Sequence, residues 1–169
     1  MGLEHERTLV EWSRERGAQV EGATPTSLFS VDVAGDGEVL VATDGGCELW
    51  AGDRGPRSLQ VTMSSLSAAE KYLFFQRATR RRWVLDLAPW PFLQAGDPVA
   101  DGVEIAWGDA TTTVTWPEEG RVESIRFTRP QVGRAVMLSW FVRRSVDELV
   151  AAIQSPDGAA VLGLPRPTR

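Results

Sequence analysis

The chain has 169 residues, a net charge of −5 and a single cysteine, a length typical of one domain. One cysteine excludes an internal disulfide and a cysteine-rich zinc site, and no apolar stretch is long enough to span a bilayer. The N-terminal residues are charged from Glu4 onward, so we expect no signal peptide, no membrane contact and a cytoplasmic protein.

The charge is distributed unevenly along the chain. Residues 1–56 carry 4 basic and 11 acidic groups, or −7, whereas residues 57–82 carry 6 basic and 1 acidic group, or +5. The remaining residues, 83–169, carry 8 basic and 11 acidic groups, or −3. A nucleic-acid-binding protein would show a coherent basic face, so this distribution argues against that class. The acidic N-terminal third instead favours a basic protein partner.

The first predicted elements are a helix and a strand meander. Residues 3–16 form a charged, moderately amphipathic helix that Gly17 is expected to end. From Leu28 the apolar period changes to two, which predicts strands separated by turns. The strands are centred on residues 29–33, 39–41, 47–50 and 59–63, and the turns lie at 35–37, 43–46 and 52–56. This pattern is typical of an antiparallel meander with one buried face.

A central helix follows the meander. Ser67-Ala68-Ala69-Glu70 has the spacing of a capping box, which predicts a helix over about residues 68–80 that ends among arginines. We expect Trp83–Leu87 to be a strand or an extended exit from that helix. Three prolines then predict a loop over residues 88–101.

The last part of the chain contains more strands and two helices. Strands are predicted at 103–107, 112–116 and 121–127, with a turn at 117–120, and helices at 132–143 and from the Ser145–Glu148 capping box to a turn at 155–158. The prediction is one α+β domain over residues 1–169, in which antiparallel strand meanders pack with an N-terminal helix, a central helix and two C-terminal helices.

Few residues are candidates for catalysis or metal binding. His5, the one histidine, lies in a charged N-terminal helix, and no nucleophile-elbow motif accompanies it or Cys47. We therefore expect no catalytic residue, and we expect Cys47 to be a small apolar side chain in a strand. Residues 32–43 superficially match a calcium loop, but Ala34 and Thr43 replace two required ligands. The sequence predicts neither a metal nor a cofactor. It leaves open the alternative of an enzyme whose two catalytic carboxylates belong to no recognisable motif.

Two features near the central helix allow more than one interpretation. Arginines 80–82 precede Trp83, a combination that could contact phosphate, nucleic acid or an acidic protein. The favoured interpretation is structural, because cations stabilise the C-terminal end of a helix. Trp90 lies between prolines, where it could anchor an interface or pack back against the core, and the sequence leaves both open.

The C-terminal third resembles a known family. Residues 136–158 contain an apolar helix with a serine, a Ser-x-x-Glu helix start and a Pro-x-Gly turn. This segment resembles the end of a family of actinobacterial immunity proteins from polymorphic toxin systems, relatives of the immunity factor for the tuberculosis necrotizing toxin. The matching residues are Ser139, Ser145, Glu148, Pro156 and Gly158. The earlier order of a short helix, a meander and a helix with Glu70, Tyr72 and Leu73 is similar too.

The resemblance implies an immunity protein, a non-enzymatic inhibitor that binds a cognate secreted toxin domain in the producing cell and occludes its active site. It does not imply the identity of the toxin. We expect the protein to be a monomer when free, and we expect its contacts with the toxin to include Glu4, Glu11, Asp36, Asp44, Asp53 and Trp90. The alternative is a chaperone-like or adaptor module that binds an unfolded or N-terminal segment of its partner without neutralising a toxin.

Overall fold

A computed structural model describes residues 2–15, 17–33 and 35–165. The elements in chain order are α1 (Glu6–Arg14), β1 (Gln19–Glu21), β2 (Phe29–Val33), β3 (Asp36–Thr43), β4 (Gly46–Asp53), β5 (Ser58–Met63), α2 (Leu66–Val84), β6 (Glu104–Trp107), β7 (Thr112–Glu118), β8 (Arg121–Phe127), α3 (Val132–Val142), α4 (Val146–Gln154) and α5 (Gly158–Leu162). The predicted α+β class is confirmed.

The eight strands of the described residues form one antiparallel sheet in the order β1-β2-β3-β4-β5-β8-β7-β6. The two meanders, β1–β5 and β6–β8, are joined where β5 pairs with β8, so that Val61 lies opposite Phe127 and Met63 opposite Ile125. The meanders were predicted from the sequence but their junction was not. Nothing local in β5 specifies a partner that lies beyond a helix and a long loop.

Helices cover one face of the sheet. Leu40, Leu49 and Val61 lie side by side on adjacent strands and are fully buried, as are Val114 and Ile125 in the second meander. Helix α2 contacts β4, β5 and β8, and α3 contacts β6 and β7. The alternation of apolar and polar residues in each strand therefore places the core between the sheet and the helices.

Both ends of the central helix differ from the prediction. The helix begins after Ser65, whose hydroxyl accepts a hydrogen bond from the Ala68 N–H at 3.1 Å. The predicted Ser67–Glu70 capping box is wrong, because Glu70 is buried and accepts a hydrogen bond from His5 instead.

The strand or extended exit predicted at residues 83–87 is also wrong at its start, since α2 continues through Val84. The Arg80 guanidinium lies over the Trp83 ring, 4.1 Å from its centroid. Side chains three residues apart are neighbours on a helix surface, so the contact is favourable in the longer helix.

The C-terminal helices follow the prediction closely. The Glu148 N–H donates to the Ser145 hydroxyl at 3.2 Å, and the Ser145 N–H donates to the Glu148 carboxylate at 2.8 Å, which confirms the second capping box. Two short elements, β1 and α5, were not predicted, because three and five residues are too few to show an apolar period. None of the helices in the described part of the chain is long and apolar enough to cross a membrane.

Candidate partner-binding surfaces

His5 links the N-terminal segment to two helices. Its backbone N–H donates to Glu70 Oε1 at 2.7 Å, its Nδ1 lies 3.4 Å from Glu70 Oε2, and its Nε2 lies 3.2 Å from Asp147 Oδ1. Burial opposes a charge on the ring, but the hydrogen bonds and charges of Glu70 and Asp147 outweigh it and raise the pKa of His5. Both ring nitrogens face carboxylates, so the ring joins α2 to α4 and is poorly placed to activate a nucleophile.

Glu4, His5 and Glu70 also form, within residues 2–15, 17–33 and 35–165, the one group whose ligand atoms could surround a metal ion. These atoms lie within 4.8 Å of one another. Glu70 already accepts the His5 backbone N–H, and the imidazole already contacts two carboxylates. Hydrogen bonding therefore accounts for this cluster, and we assign it a structural role.

Cys47 lies in β4 and is buried, as the sequence predicted. Burial raises the pKa of its thiol to about 11. The thiolate is the nucleophilic form of cysteine, and almost none of it exists at neutral pH with such a pKa. This residue packs as a small apolar side chain.

The three arginines at the end of α2 make contacts within the protein. Arg81 forms ion pairs with Glu15 and, at 3.9 Å, with Glu11. Arg82 is buried and donates to the backbone carbonyls of Ala88, Ala152, Ile153, Ser155 and Pro156. These contacts favour the structural interpretation of the cluster. Arg82, however, stabilises the C-terminal end of α4 and not only that of its own helix.

An acidic cleft lies where the β3–β4 turn, the β7–β8 turn and the start of α2 meet. It has a volume of about 540 Å³, and its lining includes Glu4, Glu118, Glu119, Arg121 and Glu123. In the β7–β8 turn, Glu119 has a φ of 50° and Gly120 a φ of 78°, as a two-residue type I′ turn requires. Strand β7 therefore continues to Glu118, and the turn is tighter than the one predicted at 117–120.

Part of the acidic cleft is neutralised by neighbouring side chains. The buried Lys71 Nζ lies 2.5 Å from one oxygen of Glu118, and Trp116 Nε1 donates to the other oxygen at 3.0 Å. Glu123 accepts a hydrogen bond from the Ser64 hydroxyl. The carboxylates at this end that stay exposed to solvent include Glu4, Asp44 and Glu119.

Asp36 and Asp53 lie at the other end of the β3–β4 hairpin. They face each other across the two strands, and the hydrogen bond and charge of Asp36 raise the pKa of Asp53. At about 3.3 Å per residue, the length of β3 separates Asp36 from Asp44 by roughly 25 Å. Glu11 is exposed on α1 beside Arg81. The structure thus places Glu4 in the lining of the acidic cleft and Asp44 in the β3–β4 turn beside it, and it leaves the other predicted acidic residues elsewhere.

A third surface, which we call the aromatic groove, lies between α2, α3 and the loop after α2. It has a volume of about 520 Å³, and its lining includes Phe75, Trp90, Phe92, Arg134 and Phe141. The Trp90 ring packs edge-on against Phe141 with 5.5 Å between centroids, and the Arg82 guanidinium lies 4.3 Å from the Trp90 centroid. Trp90 is therefore held against the core, while Phe92, two residues later, is 79% exposed.

Sequence reasoning missed Phe92 and the glutamates of the β7–β8 turn. A signal for Phe92 was available, because an aromatic residue next to Pro91 in an irregular loop is a common interface feature. For Glu118 and Glu119 the sequence indicated a turn and nothing more. Their approach to Glu4 depends on the pairing of β5 with β8 and on the position of the N-terminal segment.

Comparisons with known proteins give this architecture a context. The model of a family described as immunity protein 61 (Imm61) matches residues 12–161. No curated protein matches the chain. Among solved structures, the chain is similar to Rv3902c from M. tuberculosis, with a TM-score of 0.70, 16% sequence identity and 91% of each chain covered. At that identity the likeness shows a shared fold.

Proposed function

This chain belongs to the immunity protein 61 family, and on that premise we propose that it binds and inhibits a cognate secreted toxin domain in the producing cell. The family match covers residues 12–161. It therefore confirms the resemblance of the C-terminal third and extends it across the strand meanders. An immunity role follows from the family, whereas the toxin and its chemistry do not.

The observation that supports a particular binding site for the toxin is the clustering of carboxylates at and beside the acidic cleft. Glu4, Asp44 and Glu119 come from three separate parts of the chain and are exposed at the same end of the sheet. A surface of one charge sign speeds the approach of a partner of the opposite sign and disfavours partners of like sign. We propose that this end contacts a cationic surface of the toxin.

We further propose that binding occludes the toxin's active site. Enzymes that act on phosphate-containing substrates stabilise these anions with arginine, lysine or helix N-termini, so their active sites are cationic. An acidic, rigid surface can cover such a site by mimicking the charge of the substrate. Inhibition then needs no chemical step from the immunity protein, in line with the structural roles of His5 and Cys47.

A stoichiometric inhibitor protects the cell only while the complex lasts, so slow dissociation is the property that matters most. We propose that the protein acts in the cytoplasm of the producing cell and is a monomer until the toxin binds. One immunity protein would then block one toxin domain.

The proposal predicts that a toxin is encoded beside this gene, and co-expression of the two proteins tests it. We expect the wild-type chain to restore growth of a bacterial host that expresses the toxin, and one molar equivalent of purified protein to abolish the toxin's activity in vitro. Killing that continues unchanged, together with full toxin activity at excess immunity protein, would contradict the proposal.

The same assay distinguishes the chaperone-like or adaptor alternative. That alternative predicts binding to an N-terminal or unfolded segment of the partner and no effect on the activity of the folded toxin domain. Separate titrations of the folded toxin domain and of the segment that precedes it would show which one the protein binds.

A further inference from the structure

The aromatic groove has the properties of a second contact surface. It shares no lining residue with the acidic cleft. Phe92 is 79% exposed at its edge, and Val132 at the start of α3 is 38% exposed. A large exposed aromatic ring next to an apolar groove is typical of an interface, because such residues become energetic anchors once a partner buries them.

The walls of the groove are held by aromatic packing. Phe75 of α2 and Phe141 of α3 pack edge-to-face with 5.1 Å between centroids, and Trp90 packs edge-to-face on Phe141 at 5.5 Å. The cation of Arg82 covers Trp90. A groove formed by packed rings is in place before binding, so a partner would not have to order it.

Among the described residues, the Arg134 side chain in the groove has no carboxylate partner. The Arg134 guanidinium lies 5.5 Å from the ring centroids of both Tyr72 and Phe75, and within the described residues it makes no ion pair. The carboxylate of Glu38, which lines a neighbouring pocket with Arg134, pairs with Arg77 at 3.5 Å. The lining of the groove itself contains no aspartate or glutamate. The groove therefore presents apolar surface beside an arginine that has cation–π contacts but no carboxylate.

We infer that the aromatic groove binds an apolar segment of the toxin that carries a carboxylate, with an apolar side chain beside Phe92 and the carboxylate on Arg134. This inference rests on the proposed function, since it names a second contact for the same partner. A second copy of this chain fits less well, because two apposed grooves would bring two arginines together and neither groove supplies a carboxylate.

Calorimetric titration tests the inference, with the cognate toxin domain, carrying an inactivating substitution, as the probe. We expect Phe92→Ser and Arg134→Glu each to weaken binding about tenfold or more, as loss of an interface anchor does. Val122→Ser and Arg126→Glu serve as matched controls, because both residues are exposed on β8 outside the groove. They are expected to change the affinity less than twofold.

Arg134→Lys tests whether charge is the relevant property. It keeps the cation and is expected to retain most of the affinity that Arg134→Glu loses, and thermal melts of every variant show that each is folded. If the wild-type protein binds the toxin and Phe92→Ser and Arg134→Glu bind it with the same affinity, the inference about the groove is overturned and the proposed function is left intact. An absence of wild-type binding and of growth rescue overturns the proposed function itself. A dimer in light scattering that Phe92→Ser dissociates would assign the groove to a second copy and overturn the inference.

Discussion

The Arg82 guanidinium donates a hydrogen bond of 2.7 Å to the backbone carbonyl of Ser155. This contact joins the end of α2 to the end of α4. In the sequence, the whole second meander lies between these two helices. Arg82 is 2% exposed, and burial lowers its pKa. Carbonyls at the C-terminal end of a helix carry partial negative charge, so they compensate the buried cation without a carboxylate.

Replacing Arg82 by leucine is expected to lower the free energy of unfolding by about 3 kcal/mol. The substitution removes the donor for several carbonyls, and each buried carbonyl left without a partner costs about 1 kcal/mol or more. Urea denaturation measures the loss. Arg80→Leu is the control, because Arg80 mainly stacks on the exposed Trp83, and it should cost less than about 0.5 kcal/mol. Equal losses in the two variants would contradict this role for Arg82.

Gly158→Ala is expected to destabilise the protein by about 2 kcal/mol or more, because nearby atoms leave no room for a methyl group. A Cβ at Gly158 would overlap the Ala152 carbonyl oxygen and lie 2.8 Å from Arg82 Nη1. The carbonyl belongs to the backbone and cannot move aside cheaply. Gly45→Ala is the matched control, since nothing lies within 4 Å of a Cβ there. Thermal melts of both variants decide, and a Gly158→Ala protein as stable as the control would rule out this packing.

Stability is expected to depend on pH through His5. Its pKa in the folded protein is raised above the ordinary value of 6.5 by Glu70 and Asp147, against the opposing effect of burial. A raised pKa means that the folded state binds the proton more tightly. The stabilisation is therefore complete below pH 6.5 and is lost as the pH rises through the folded pKa.

His5→Gln should remove this pH dependence. The difference in melting temperature between wild type and variant should be larger at pH 5.5 than at pH 8.5. Asp147→Asn removes one of the two carboxylates and should give an intermediate pH dependence. A difference that is the same at both pH values would show that the contact of His5 with Glu70 and Asp147 does not depend on a charged imidazole.

Cys47 is expected to react with a thiol reagent far more slowly in the folded protein than in urea. Its side chain is buried, and burial raises the pKa of the thiol to about 11, so both access and thiolate formation are suppressed. Absorbance of released thionitrobenzoate at pH 8 measures the rate. Complete labelling of the native protein within the mixing time would show that β4 opens readily.

Reversing charge at the acidic cleft is expected to slow association with the toxin. Asp44→Lys and Glu119→Lys together should lower the association rate constant by about tenfold at low ionic strength and by less at high ionic strength. Asp109→Lys, an exposed residue at the β6–β7 turn, is the control. Stopped-flow fluorescence measures the rates. If the double variant associates as fast as wild type, the toxin docks away from the cleft.

Local sequence patterns predicted the elements that are specified by residues close to one another in the chain. The alternation of Leu59, Val61 and Met63 corresponds to β5, and the Ser145–Glu148 spacing corresponds to a capping box with both hydrogen bonds present. Where two local choices were equally good, the prediction was wrong. Ser65 and Ser67 are both good helix caps, and the Glu70 carboxylate that a capping box at Ser67 would use is bound by His5, 65 positions earlier in the chain.

The same distinction applies to function. Composition, one histidine, one cysteine and an uneven charge were enough to argue for a binding protein, and a 23-residue stretch resembled immunity proteins, a family that the match over residues 12–161 now establishes. Which charges lie close together was decided by tertiary structure alone. The β5–β8 pairing brings Glu118 and Glu119 to Glu4, and the length of β3 keeps Asp36 away from Asp44. Periodicity and caps are properties of neighbouring residues, whereas a binding surface is assembled by contacts between residues far apart in the chain.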